Sequence, residues 1–143
     1  MMKTVLKVTL QSALVASVLT FATWAQAATS PMTVAGATTV NAAEAKQLWE
    51  GGAVFLDSRK TTDWEAGHIP EAVHLDRKNP AIYNSDSLND LAEKDEAIVS
   101  YCNGERCLRS SKTAEDLVKL GFQKVYYFRD GFPAWNDAGY PIE

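Results

Sequence analysis

Residues 97–120 read AIVSYCNGERCLRSSKTAEDLVKL, and this stretch decides the fold. The short apolar run Ala97–Tyr101 predicts a buried β-strand, and a polar loop follows it. Between positions 109 and 120, apolar side chains recur at the spacing of an α-helix, and Gly121 ends that helix. The stretch is therefore predicted to form a strand, a loop and a helix.

The same alternation continues on both sides of this stretch. The predicted elements are a helix over 42–49 capped by Asn41, a strand over 53–57, a helical turn over 62–66, a strand over 72–75, a short helix over 88–93, a strand over 125–128 and a last helix over 132–138. Strands that alternate with helices predict an α/β domain with a mostly parallel central sheet, flanked by helices on both faces.

The N-terminus has the pattern of a secretory signal peptide over residues 1–27. Lys3 and Lys7 precede an apolar stretch that ends in the small-residue pattern Ala25-Gln26-Ala27. Polar residues interrupt this stretch, and no strong charge cluster follows it, so a permanent membrane anchor is the weaker interpretation. The sequence predicts cleavage after Ala27, a periplasmic location, and no stable membrane association after cleavage.

The rest of the chain divides into an arm and one domain. Residues 28–38 are small and contain Pro31 and Gly36, which predicts a linker or loose N-terminal arm, and residues 39–143 form the predicted domain. The full chain carries 14 Lys and Arg against 18 Asp and Glu, a net charge of −4, which becomes −6 without Lys3 and Lys7. Such an acidic protein is not expected to bind nucleic acid.

The loop after the central predicted strand carries the candidate chemistry. Cys102 directly follows that strand, and parallel sheets bind ligands beyond the carboxyl ends of their strands. Loop amides and the following helix would favour a nucleophilic thiolate there, and Arg106 and Arg109 would attract an anionic substrate. The alternative is an inert buried cysteine, but a loop with Gly104 and two arginines is a poor lining for one.

Several separated motifs resemble the rhodanese family in residue type and in order. They are Leu56-Asp57-Ser58-Arg59, Gly67-His68-Ile69-Pro70-Glu71-Ala72, Tyr101-Cys102-Asn103-Gly104, Arg109-Ser110-Ser111-Lys112, Gly121-Phe122-Gln123-Lys124-Val125, Gly131-Phe132-Pro133-Ala134-Trp135 and Ala138-Gly139-Tyr140-Pro141-Ile142. Together they extend over nearly all of residues 39–143. The resemblance implies a rhodanese-like domain and a thiosulfate sulfurtransferase that needs no cofactor.

The resemblance also implies residue roles. Cys102 would accept a sulfane sulfur from a small donor such as thiosulfate as a persulfide, and pass it to cyanide or a thiol. The substrate-binding residues would be Asn103, Gly104, Glu105, Arg106, Cys107, Leu108 and Arg109. Arg106 is the preferred anion contact, and Arg109, at the start of the helix, is partly structural. Family members use the residues matching Asp57, Arg59 and His68 to organise the scaffold.

The loop departs from the common single-domain members in length and in its second cysteine. It is two residues longer, which resembles related phosphatases and arsenate reductases, although Leu108 occupies the position of their anion-binding arginine. Cys107 either lines the pocket or resolves an oxidised or persulfidated Cys102 as a disulfide, which would make the protein a thiol-disulfide redox protein served by a thiol reductant. A two-thiolate site for a soft metal is a minor alternative, and His68 and His74 have no sequence partners for a metal site.

Overall fold

The computed structural model describes residues 27–143, so the predicted signal peptide lies, apart from Ala27, outside the described residues. The elements in chain order are β1 (Ala37–Thr39), α1 (Ala42–Glu50), β2 (Val54–Asp57), α2 (Thr61–Glu65), β3 (Val73–His74), α3 (Ser85–Asn89), β4 (Ala97–Tyr101), α4 (Arg109–Lys119), β5 (Lys124–Phe128) and α5 (Gly131–Asp137). Within residues 27–143, no helix is both long and apolar enough to cross a membrane.

The five strands form one parallel sheet in the order β1-β5-β4-β2-β3. Because β4 lies in the middle, the residue that follows it stands at the centre of the carboxyl edge of the sheet. Tyr101, the last residue of β4, is in register with Asp57 of β2 and with Phe128 of β5. The predicted α/β class and the parallel sheet are confirmed.

Alternate strand residues face opposite layers of helices. In β4, Ile98 packs into one core with α3 and α4, whereas Val99 packs into the other core, which contains Trp135 of α5. Both residues are fully buried. A strand that is buried on both faces explains the continuous apolar run of Ala97–Tyr101. Helices therefore cover both faces of the sheet, as predicted.

The start of α1 follows the local sequence closely. The Asn41 side chain accepts a hydrogen bond from the Glu44 amide at 3.0 Å, and the Glu44 carboxylate accepts one from the Asn41 amide at 2.8 Å. This reciprocal pair satisfies two amides that have no partner inside the helix. The predicted cap at Asn41 is thus present, and the helix runs one residue further than predicted.

Two predicted local structures differ from the observed ones. Part of the predicted arm 28–38 belongs to the sheet, because Ala37–Thr39 pairs in parallel with β5. The short helix predicted at 88–93 lies earlier, at Ser85–Asn89, because the Asn84 side chain accepts a hydrogen bond from the Ser87 amide and caps it. Leu88 of this helix is buried in the core formed with α4.

Candidate active site

Cys102 lies directly after the central strand, at the carboxyl edge of the sheet. Cys102 is 1% exposed, and it borders a groove of about 350 Å³. The other residues that line this groove are Lys60, Asp63, Asn103, Arg106, Cys107 and Arg109. The predicted nucleophile is therefore enclosed but adjoins a space in which a small anion can be held by cationic side chains.

Cys102 and Cys107 form a disulfide bond across the loop, with their Cα atoms 6.1 Å apart. Cys107 is more exposed than Cys102. The structure therefore shows the oxidised form of the loop, in which Cys102 is not a free nucleophile. Both roles considered for Cys107 stay open, because it lines the groove beside Cys102 and its sulfur also lies where it can resolve an oxidised Cys102.

Glycines shape the path of the loop. Gly104 has a φ of +95°, a backbone conformation in which a side chain would be strained. The Cys107 amide donates a hydrogen bond to the Gly104 carbonyl at 2.9 Å. The other amides of 103–108 donate to no acceptor within residues 27–143.

The loop is fastened to α5 at its beginning. The Phe132 amide donates to the Cys102 carbonyl at 2.8 Å, and Gly131, with a φ of +60°, is buried against it. A Cβ atom at Gly131 would overlap the Cys102 carbonyl oxygen and would lie 3.0 Å from the Gly104 amide nitrogen. Glycine is therefore required here for the close approach of two backbones.

The N-terminal segment holds the middle of the loop. The Ser30 amide donates to the Glu105 carbonyl at 2.6 Å, and Ser30 is 3% exposed. Arg129 donates to the Ser30 carbonyl at 3.1 Å and lies 3.6 Å from the Glu105 carboxylate. The segment predicted to be a loose arm therefore packs against the candidate active site, because its backbone finds partners in the loop.

A buried ion pair supports the loop from below. Arg59 makes hydrogen bonds to both carboxylate oxygens of Asp57, the shortest at 2.7 Å, and both residues are buried. Arg59 also donates to the Gly67 carbonyl at 2.8 Å and contacts the Asn103 side chain at 3.4 Å. The side-chain amide group of Asn103 donates a hydrogen bond to the Asp63 carboxylate at 2.7 Å. Asn103 thus connects the loop to the scaffold.

The two arginines of the loop differ in their surroundings. Arg109 is half-buried and donates to Asp76 at 3.3 Å and to the Ser58 carbonyl at 3.4 Å. Arg106 is exposed and has no salt-bridge partner within the described part of the chain. The ranking of Arg106 as the anion contact and of Arg109 as partly structural stays a prediction.

A second groove, of about 430 Å³, lies on the Cys107 side of the loop. It is lined by Arg77, Lys78, Arg106, Cys107, Leu108, Arg109 and Lys112. No acidic side chain lines it, although the whole chain carries a net charge of −4. Cys107, Arg106 and Arg109 border both grooves, whereas Cys102 borders the first groove only.

Sequence reasoning missed Lys60, Asp63, Arg77, Lys78 and Lys112 as residues around the loop. Lys112 stands within the Arg-Ser-Ser-Lys motif, and its position one turn into α4 was a usable signal. The others come from the segments after β2 and β3. Only the order of the strands in the sheet brings those segments beside the loop.

Tyr101 precedes the cysteine and stays uncharged. Burial and the nearby Asp57 carboxylate raise the pKa of Tyr101 well above its ordinary value. Its hydroxyl oxygen accepts a hydrogen bond from the Ile69 amide at 3.3 Å. The side chain therefore fixes the turn 67–70 and is not a candidate base.

Among residues 27–143, no group of three or more His, Cys, Asp or Glu side chains is placed to hold a metal ion.

Comparison with known proteins identifies related chains. The thiosulfate sulfurtransferase GlpE of Pseudomonas savastanoi pv. phaseolicola is 35% identical over 100 residues, which cover 70% of this chain and 87% of the relative. The mitochondrial protein HIGH ARSENIC CONTENT 1 of Arabidopsis thaliana is 30% identical over 119 residues, covering 78% of this chain and 69% of the relative. Each of these two matches covers most of this chain.

Solved structures agree with the sequence relatives. The solution structure of the rhodanese-like domain of the Alr3790 protein from Anabaena sp. superposes with a TM-score of 0.61 and 26% identity, covering 73% of this chain and 77% of that chain. A family model described as the rhodanese-like domain matches residues 41–138, which include both cysteines. The chain therefore belongs to the rhodanese-like domain family.

Proposed function

We propose that the reduced protein is a sulfurtransferase that carries a sulfane sulfur on Cys102. The proposal rests above all on the position of Cys102, at the carboxyl end of the central strand and beside a groove with three cationic side chains, Lys60, Arg106 and Arg109. Relatives named thiosulfate sulfurtransferase, at 31–35% identity, support the same class of activity. Thiosulfate is therefore the proposed donor.

The transfer has two displacement steps. The Cys102 thiolate attacks the outer sulfur of thiosulfate, the sulfur–sulfur bond of thiosulfate breaks, and sulfite leaves with the bonding electron pair. The amides of 103–108 that lack an acceptor stabilise the negative charge of the persulfide, and Arg106 binds the sulfonate group. An acceptor, cyanide or a thiol, then attacks the outer sulfur of the persulfide and releases the Cys102 thiolate.

The disulfide form must be reduced before this cycle begins, because the Cys102 sulfur is bonded to Cys107 in it and is not a nucleophilic thiolate. A thiol–disulfide redox protein is the second candidate function, and the observed bond between Cys102 and Cys107 favours it. The two candidates differ in their need for the second cysteine. Sulfur transfer to cyanide needs Cys102 alone, whereas disulfide chemistry needs both residues.

Intact mass after incubation with thiosulfate tests the proposal. The reduced protein, its Cys102→Ser variant and its Cys107→Ser variant are each treated with thiosulfate, and thiocyanate is then measured after addition of cyanide. We expect a gain of one sulfur atom and then thiocyanate from Cys107→Ser, and neither from Cys102→Ser. A protein that produces no thiocyanate, but oxidises substrate thiols through both cysteines, would be a redox protein instead.

The N-terminal pattern supports a further proposal, export to the periplasm with cleavage after Ala27. The mature chain would then begin at Ala28, three residues before Pro31 and close to the Ser30 contact with the loop. The intact mass of the protein purified from the periplasmic fraction of a bacterial host tests this proposal. A chain that retains Lys3 and Lys7 would contradict it.

A further inference from the structure

Cys107 is held next to Cys102 by more than the disulfide. The Phe132 amide fastens the Cys102 carbonyl, the Ser30 amide fastens the Glu105 carbonyl, and the Leu108 carbonyl accepts a hydrogen bond from the Ser111 hydroxyl at 3.1 Å. These contacts lie at the beginning, the middle and the end of the loop. The backbone therefore keeps the second cysteine within reach of the first when the bond between them is opened.

We propose that Cys107 is a second catalytic residue that discharges the Cys102 persulfide as sulfide. This inference rests on the proposed sulfurtransferase function and names the fate of the bound sulfur. The observed disulfide would then be the product of that step. Without Cys107, the same persulfide would wait for an external acceptor.

The chemistry balances with the atoms of the loop. The Cys107 sulfur attacks the Cys102 Sγ atom, to which it is bonded in the structure, and the bond between Cys102 Sγ and the outer sulfur breaks. The outer sulfur leaves as hydrosulfide with the bonding electron pair and the proton of the Cys107 thiol. The two cysteines are oxidised to a disulfide, and the sulfane sulfur is reduced by two electrons.

The buried position of Cys102 favours this internal step over the same attack by a solvent thiol. Cys102 is 1% exposed, so an external nucleophile reaches the outer sulfur of the persulfide more easily than the Cys102 Sγ atom. Cys107 reaches Sγ from within the loop. External acceptors and Cys107 therefore attack different sulfur atoms and give different products, a transferred sulfane sulfur or free sulfide.

A thiol must reduce the disulfide to complete the cycle, and the second groove indicates its class. Cys107 borders that groove, and three of its cations, Lys78, Arg106 and Lys112, have no salt-bridge partner within residues 27–143. A small thiol that bears carboxylates fits this charge. Its thiolate attacks the Cys107 sulfur and releases the Cys102 thiolate, and a second thiol then releases Cys107. Overall, thiosulfate and two thiols give sulfite, hydrogen sulfide and one disulfide of the thiol.

A single-turnover experiment tests the role of Cys107. Reduced protein, freed of reductant, receives one equivalent of thiosulfate, and sulfite, sulfide and the intact mass are measured. The wild type should release sulfite and sulfide in equal amounts and lose two hydrogen atoms. Cys107→Ser, and Cys107→Ala as its matched control, should release sulfite, keep one extra sulfur atom and release no sulfide.

The outcomes separate the two proposals. A wild type that keeps its persulfide as long as Cys107→Ser does would overturn the role of Cys107 and leave the sulfurtransferase intact. Proteins that release no sulfite and gain no sulfur, with or without Cys107, would overturn both. Because reduced wild type also lacks the disulfide, a difference between it and Cys107→Ser cannot come from loss of the bridge.

The rate at which small thiols reduce the disulfide tests whether the second groove binds an anionic thiol. Mercaptosuccinate, 2-mercaptoethanol and cysteamine carry negative, neutral and positive charge, and their rates are compared at equal thiolate concentration. We expect the anionic thiol to react about tenfold faster at low salt, with the advantage lost at high salt. Lys112→Gln should reduce the advantage, and Lys119→Gln, an exposed lysine at the other end of α4, should not. Equal rates for the three thiols would overturn the assignment of the groove.

Discussion

The Cys102 carbonyl accepts a hydrogen bond from the Phe132 amide at 2.8 Å, so the candidate nucleophile is tied to the start of α5. This contact joins β4 to an element thirty positions later in the chain. It exists because Gly131, directly before Phe132, lets the two backbones approach each other without a side chain between them. The position of the cysteine therefore depends on a residue that has no chemistry of its own.

Gly131→Ala should damage both stability and sulfur transfer. Its Cβ atom would overlap the Cys102 carbonyl oxygen, and the φ of +60° would be strained. We expect a loss of about 3 kcal/mol in the free energy of unfolding, measured by urea denaturation. Gly139→Ala is the matched control, because Gly139 has a φ of +71° with nothing within 4 Å of its Cβ position. It should cost only about 1 kcal/mol. Equal losses of unfolding free energy in the two variants would show that the close approach of Gly131 to Cys102 does not contribute to stability.

Arg106→Gln and Arg109→Gln should have different effects. Arg106 is exposed at the grooves, so its loss should lower kcat/KM for thiosulfate about tenfold, mainly through KM, with little change in stability. Arg109 holds Asp76 and the Ser58 carbonyl, so its loss should also cost about 1 kcal/mol in the free energy of unfolding. Thiosulfate kinetics and urea denaturation of both variants measure this contrast. A wild-type KM in Arg106→Gln would remove Arg106 from the binding site.

Arg129→Met should loosen the N-terminal segment from the active-site loop. The arginine binds the Ser30 carbonyl and the Glu105 carboxylate, which flank the hydrogen bond from the Ser30 amide to the Glu105 carbonyl. We expect faster hydrogen exchange at the Ser30 amide, because that bond opens more often. Lys124→Met removes an exposed cation from the same strand region and should leave this exchange rate unchanged. Equal protection of the Ser30 amide in Arg129→Met and in the wild type would show that Arg129 does not hold the N-terminal segment against the loop.

Stability should fall at high pH, partly through Tyr83. Burial raises the pKa of Tyr83 from 10.0 to about 12, and its hydroxyl donates to Asp116 at 2.8 Å. Between pH 10 and 12 the unfolded phenol loses its proton while the folded one keeps it, so the free energy of unfolding falls as the pH rises through this window. Urea denaturation from pH 8 to 12 should show a shallower fall for Tyr83→Phe. Profiles of equal slope would show that Tyr83 does not contribute.

Local sequence signals predicted most of the fold. The apolar run of Ala97–Tyr101 indicated a strand, and Asn41 with Glu44 marked the beginning of α1. The strand β1 escaped prediction because Ala37–Thr39 is a short edge strand of small and polar residues, whose place is fixed by pairing with β5. Short edge strands carry little pattern of their own, and only the partner strand defines them.

The sequence by itself determined the position of the candidate nucleophile, since a strand, a cysteine and a glycine-containing loop before a helix are local features. Only the tertiary structure decided what surrounds that loop. Ser30 and Arg129 hold it from both ends of the chain, and Lys60 and Arg77 reach the grooves because β2 lies beside β4 and β3 lies beside β2. The bond between Cys102 and Cys107 also belongs to this level, because a separation of five residues allows a disulfide but does not require one, and the fastened backbone of the loop brings the two sulfurs together.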